Sequence, residues 1–210
     1  MKWKKVISIV CMALSLLAVT ACGGKQAAQN GGGKAAGTAA AEKAPAKAKK
    51  VLVVYYTNTH RTEQVAKTIA GETGGDLYLL DLEKPYTPAD LDYNNKSARV
   101  YKEHDDPSLR NVALKNAKPA NWQDYDTVFV GYPIWWGIAA WPMDTFVKSN
   151  DFTGKTVIPF ATAYSSGLGS SADQLKEMAG SKGTWLQGRC FTGTIQDSQV
   201  KDWVKSLGVK

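Results

Sequence analysis

Cysteine is scarce in this chain. Three occur in 210 residues, Cys11, Cys22 and Cys190, and their spacing matches neither a metal framework nor a disulfide scaffold. Cys190 stands alone after residue 50, where packing as a small apolar residue is the expectation. A membrane-spanning run is missing too. The stretch Val6 to Val19 is broken only by Ser8 and Ser15, but it falls short of the ~20 residues that a spanning helix needs. Charge of one sign is missing where it would count. The formal net charge of +7 hints at nucleic acid, yet residues 1–50 hold nine lysines and arginines against Glu42 alone, and residues 51–210 hold 17 against 18 acids, a net of −1. A nearly neutral folded part gives nucleic-acid binding little electrostatic support. The 160 residues from Val51 onward are enough to bury roughly 70% of the surface their unfolded chain exposes, so one domain without staples is expected.

The first fifty residues read as an address and a tether. Met1-Lys2-Trp3-Lys4-Lys5 is a positively charged start, and the apolar run follows it directly, the pattern of a secretory signal. The run ends in Leu17-Ala18-Val19-Thr20-Ala21-Cys22-Gly23, which resembles a bacterial lipoprotein processing site. That resemblance implies removal of residues 1–21, lipid on Cys22, and export to the outer side of the cytoplasmic membrane. Cleavage as an ordinary signal peptide is the alternative. Residues 22–50 are rich in Ala, Gly and Lys and carry no aromatic or branched apolar side chain after Cys22. Such a segment cannot bury enough surface to fold alone. Its lysines either approach an anionic lipid surface or simply keep the tether soluble.

From Val51 the pattern alternates between strand and helix. Val51-Leu52-Val53-Val54-Tyr55-Tyr56 suits a strand buried on both faces. Helical spacing follows over Glu63 to Glu72. Further strands are expected at Leu77–Leu80, Thr127–Val130 and Thr156–Ala161, with a last one over Trp185 to Phe191 interrupted at Gly188. Helices are expected over Ala139–Lys148, Ser171–Ala179 and Val200–Leu207. Pro159 is awkward inside a central strand. Strands separated by helices mean βαβ units and a parallel sheet. Between Glu83 and Asp126 lies a long excursion, helical in part over Asp92 to Glu103. Its acids Glu103, Asp105 and Asp106, together with His104, read as a solvated helix end. Excursions of this length are usually functional or mobile.

Three loops carry the chemistry. The first is Thr57-Asn58-Thr59-His60-Arg61-Thr62. Hydroxyls beside free amides at a helix N-terminus make a phosphate cradle, although the same threonines also suit a plain helix cap. The loop lacks the Gly-x-Gly-x-x-Gly pattern of a pyrophosphate turn, which favours a mononucleotide. The second is Gly131-Tyr132-Pro133-Ile134-Trp135-Trp136-Gly137, whose aromatics suit a flat, electron-poor ring or packing on helices. The third runs from Thr162 to Ser170 and includes Ser165, Ser166 and Gly167. Its glycines permit close backbone approach. All three leave the C-terminal ends of strands, the face on which open α/β sheets hold ligands.

These loops closely resemble the flavodoxin family, from Val51 almost to Lys210. The resemblance is carried by Val54 through Thr62, by Tyr132-Pro133-Ile134-Trp135-Trp136-Gly137, and by Phe160-Ala161-Thr162 through Ser165-Ser166-Gly167-Leu168-Gly169. It implies a three-layer α/β sandwich on a five-stranded parallel sheet of order 2-1-3-4-5. It also implies noncovalent flavin mononucleotide (FMN), with phosphate on Thr57, Thr59, Arg61 and Thr62 and the ring facing Trp135, Trp136, Gly137, Ser165, Ser166 and Gly167. Asn58, His60, Pro133, Ile134 and Thr162 complete the implied site. The family usually has Gly where this chain has His60. The implied function is membrane-tethered electron transfer with a partner protein or small acceptor. A nicotinamide-dependent quinone or flavin reductase, and a flavin-less binding module, are the competing readings. No Ser-His-Asp set, metal cluster or pair of catalytic carboxylates stands out near the loops.

Overall fold

The computed structural model describes residues 49–209; the expected signal segment, Cys22 and nearly all of the expected tether lie outside them. The first strand, β1 (Lys50–Tyr55), is buried from Val51 onward. After it come α1 (Arg61–Thr73), β2 (Asp76–Leu79) and, inside the excursion, the short helix α2 (Arg99–Asp105). Then follow β3 (Tyr125–Trp135), β4 (Ile138–Ala139), α3 (Pro142–Ser149), β5 (Thr156–Ala163) and α4 (Ser171–Met178). The chain closes with β6 (Thr184–Trp185), β7 (Arg189–Thr192) and α5 (Asp197–Ser206).

The sheet runs β2-β1-β3-β5, with both β6 and β7 parallel to β5 on its outer side. The two short pieces form one interrupted edge strand, so there are five strand positions in the order 2-1-3-4-5. β4 is an antiparallel arm folded back on the end of β3. Because side chains alternate along β1, Val51, Val53 and Tyr55 join one core with Val65, Ile69, Ile158 and Trp203. Leu52 and Val54 join the other with Val128, Val130, Phe146 and Leu175. Helices cover both faces, which is why the strand is apolar throughout. Each such side chain contributes about 1.5–3 kcal/mol on full burial.

Pro159 explains the break in the edge strand. Leu186 N–H donates to the Val157 carbonyl, so Val157 faces the edge, and two residues on Pro159 faces it too. Pro159 has no N–H to offer there, and the ladder lapses between Trp185 and Arg189. Gly188 fills the gap: a Cβ at that position would lie 2.5 Å from the Pro159 carbonyl oxygen.

The excursion is ordered from its base. Leu82 and Leu114 form an antiparallel bridge, and Tyr86, Val100, Val112 and Trp122 enter the core. Its helix is shorter than expected, starting only at Arg99. Upstream, the Asp92 and Asn95 side chains accept from the N–H groups of Asn94 and Ser97, local bonds that compete with helix. The helix end is not simply solvated either. Glu103 is buried, accepting from Arg99 Nε at 2.8 Å and from the Tyr86 hydroxyl at 2.6 Å. Among the described residues no helix is long and apolar enough to cross a membrane.

Candidate functional site

The first loop leaves β1 and enters α1 through His60, which takes the left-handed conformation (φ 60°, ψ 0°). No side chain caps the helix, so the threonines are not serving as an ordinary N-cap. The first-turn amides are left for an anion. The Thr57 hydroxyl and Asn58 Oδ1 are buried without a hydrogen-bond partner, which is costly unless a ligand satisfies them. Thr62 is pinned by a 2.8 Å hydroxyl–hydroxyl bond to Thr162 of the third loop. The Arg61 guanidinium donates to the Gly193 carbonyl at 2.6 Å. His60 turns outward to Glu63 at 2.6 Å, and Glu63 also meets Lys67. Those two partners hold the Glu63 carboxyl below its usual range.

The second loop is a tight hairpin. Ile134 pairs with Ala139 and Trp135 with Ile138, leaving Trp136 (φ 45°) and Gly137 (φ 80°) as its two-residue tip. Two left-handed residues make a type I′ turn, whose first position normally takes Asn, Asp or Gly. A tryptophan there is strained. Its side chain is held by stacking on His104, at 4.4 Å between ring centres and 24° between planes, and by Tyr93 at 4.5 Å.

A cavity of about 330 Å³ opens between the loops. Thr57, Asn58, Thr59, Arg61 and Thr62 line one end, Pro133, Ile134 and Trp135 another side, and Thr162 the base. These residues were all singled out in the sequence. Its remaining lining, Leu91 and Tyr93 from the excursion and Ala163 and Tyr164 from the third loop, was not. Tyr164 is 94% exposed, an aromatic ring at the cavity edge with no packing of its own. Partial burial raises the Tyr93 phenol to about 12, so it faces the cavity as a neutral hydroxyl. The structure differs from expectation at Trp136 and Gly137. Neither lines the cavity, because the I′ turn directs the Trp136 side chain onto the excursion. Ser165, Ser166 and Gly167 are exposed beyond the cavity edge, and His60 lies outside it. The aromatic at Tyr164, in a loop otherwise of small residues but for Leu168, was the legible signal. Tyr93 gave none, since only the tertiary fold brings it there.

A flavodoxin family profile matches residues 50–207. The chain belongs to the flavodoxin family. Among solved structures, a candidate flavoprotein from Bacteroides eggerthii is 40% identical to this flavodoxin-family chain, with a TM-score of 0.69 over 77% of this chain and 99% of that one. A second from Bacteroides uniformis is 38% identical, with the same TM-score over 76% and 99%. A Lactobacillus acidophilus flavoprotein solved in complex with FMN shares the fold at 21% identity, with a TM-score of 0.51 over 74% and 99%. A comparison with curated proteins gave no match.

Proposed function

We propose that this flavodoxin-family domain binds FMN in the cavity between its three loops and carries electrons outside the cytoplasmic membrane, tethered through a lipid on Cys22. One observation carries the cofactor reading: an uncapped helix N-terminus next to the orphaned Thr57 hydroxyl, at one end of a cavity edged by exposed Tyr164. The helix amides and the Thr57 and Thr59 hydroxyls would hold the phosphate, with Arg61 adding charge. Asn58 Oδ1 would accept from a ligand hydroxyl or N–H. Tyr164 and Tyr93 would flank the ring, while Pro133 and Ile134 exclude water from beneath it. The bound flavin supplies the redox chemistry, and the protein supplies orientation and environment.

Purified protein should be yellow, and denaturation should release a chromophore with the mass of FMN. Release of FAD, or colourless protein that gains no flavin absorbance when FMN is added, would end this reading. Electron carriage predicts negligible oxidation of NADPH in the presence of a quinone, and rapid turnover there would assign a reductase instead. Mass analysis of the mature N-terminus should find an acylated Cys22. Two or more chains would give stable anchoring, where a single chain is marginal.

A further inference from the structure

A second cavity, of about 380 Å³, lies against β4, between α3, α4 and the turn at Pro107–Arg110. Asp144, in the first turn of α3, lines it. The residue is 9% exposed, and its carboxylate takes no hydrogen bond from any described residue. Lys148 stands four residues on along the same helix, a spacing at which opposite charges usually pair. Arg110 lines the same cavity. Neither cation comes within the 4.0 Å of an ion pair with Asp144. Arg110 is fixed where it stands: Nε and Nη2 donate to the Glu103 and His104 carbonyls at 2.7 and 2.6 Å, and the guanidinium lies 4.4 Å over the Trp141 ring. Its Nη1 is left over.

One acceptor group and two cations thus border one partly open cavity, Lys148 at its exposed rim, without pairing with one another. A buried carboxylate in that state is costly. The dipole of α3 favours an acid in its first turn, but that would be served as well by an exposed one. A lone cation entering the cavity would meet Arg110 and Lys148, and a lone anion would meet Asp144. A molecule bearing both charges meets complementary partners throughout. Ile138 and Met178 add apolar wall, and the volume lies within the ~300–1,000 Å³ range of small-molecule sites.

We propose that this cavity binds a small zwitterion, an α-amino acid with an apolar side chain. Its ammonium sits on Asp144, its carboxylate on Arg110 and Lys148, and its side chain against Ile138 and Met178. The site is separate from the flavin cavity and does not rest on the flavin reading.

The test is ligand-observed NMR on the purified protein with L-leucine, L-methionine and L-phenylalanine as probes. Butylamine and isovalerate serve as half-ligands carrying one charge each. The expected result is saturable binding of at least one amino acid, and binding of either half-ligand at least tenfold weaker. Asp144→Asn keeps the volume and should weaken the amino acid at least tenfold; Lys148→Met should weaken it less. Burial holds the Asp144 carboxyl up at about 6, opposed by Lys148 from its own helix and Arg110 from the turn. From α4 and β4 only uncharged side chains line the cavity. Binding should therefore weaken as pH falls through about 6. Absence of saturable binding by all three amino acids would overturn the proposal, as would Asp144→Asn binding like the wild type, or butylamine alone binding as tightly. If Asp144 serves only the helix dipole, Asp144→Asn lowers the melting temperature and no probe distinguishes it from the wild type.

Discussion

The two arms of the β3–β4 hairpin each border a cavity, and the two cavities are built on opposite principles. Along the β3 arm, Pro133, Ile134 and Trp135 meet backbone amides, hydroxyls and tyrosine rings. Arg61 is the one formal charge in that lining, and it is tied to a carbonyl. Along the β4 arm, Ile138 meets Asp144, Lys148 and Arg110, charges that do not pair. The first cavity holds uncharged donors fixed by strand ends and a helix start. The second holds charges fixed by packing between elements far apart in sequence. The orphaned Thr57 hydroxyl and Asn58 Oδ1 cost the empty neutral site the same at every pH, whereas a little-exposed, unpaired carboxylate makes stability depend on pH.

The largest way to break this comparison is to remove what the arms share. Trp136 anchors the hairpin tip to His104 and Tyr93, so Trp136→Ala should disturb both cavities and cost about 3 kcal/mol, the low end for a packed tryptophan. Denaturant unfolding measures it. A loss of FMN affinity without a loss of stability would instead mean that the ring faces the ligand.

Next in size is the pH dependence that only the charged cavity should show. The folded-state pKa of Asp144 is raised from 3.8 to about 6 by burial, so the folded protein holds a proton there that the unfolded chain has released. The stability from this group is fully present below about 3.8 and is lost as pH rises through about 6. The loss is on the order of 3 kcal/mol, from the free-energy equivalent of the shift. Unfolding curves for wild type and Asp144→Asn between those limits should converge at the acid end and separate toward neutrality, with the variant the more stable.

A smaller effect sharpens the contrast from the neutral side. Tyr164 packs on nothing, so Tyr164→Ala should leave stability within about 0.5 kcal/mol of wild type. It should weaken FMN by about 1 kcal/mol, the scale of an aromatic stacking contact. Flavin fluorescence titration beside thermal melting separates the two numbers. The smallest expected effect is His60→Gly, which relieves a left-handed non-glycine residue at the loss of one exposed bond to Glu63. A gain of about 0.5–1 kcal/mol is expected, with FMN affinity unchanged because the imidazole lies outside the cavity.

What could be read in the sequence divides along the same line. The strand positions, the interruption at Gly188 and the hydroxyl-lined end of the cavity follow from local signals: continuous apolar runs, a glycine, and hydroxyls before a helical stripe; the strand order came with the resemblance to the flavodoxin family. His60 stood out as a residue where the family usually has Gly, and the structure finds φ 60° there. The role of Trp136 was not legible, because a pair of adjacent tryptophans does not reveal which one a turn will throw outward. Nor was Tyr93, whose place depends on how the excursion folds back. Asp144, Lys148 and Arg110 look like ordinary surface charges in one dimension. Only the packing of α3, α4 and the Pro107–Arg110 turn shows that they border one cavity.

The broken edge strand has a consequence for solubility. A sheet edge offers unpaired backbone groups to any other strand that drifts past, and a long regular edge invites assembly into larger sheets. Here one edge is cut into pieces of two and four residues around Leu186–Gly188, opposite a proline that cannot donate. The other edge, β2, is four residues long. Neither margin gives a second copy a continuous run to pair with. Pro159→Val would return the missing N–H to β5, and with it a route to edge-to-edge aggregation that the native sheet lacks.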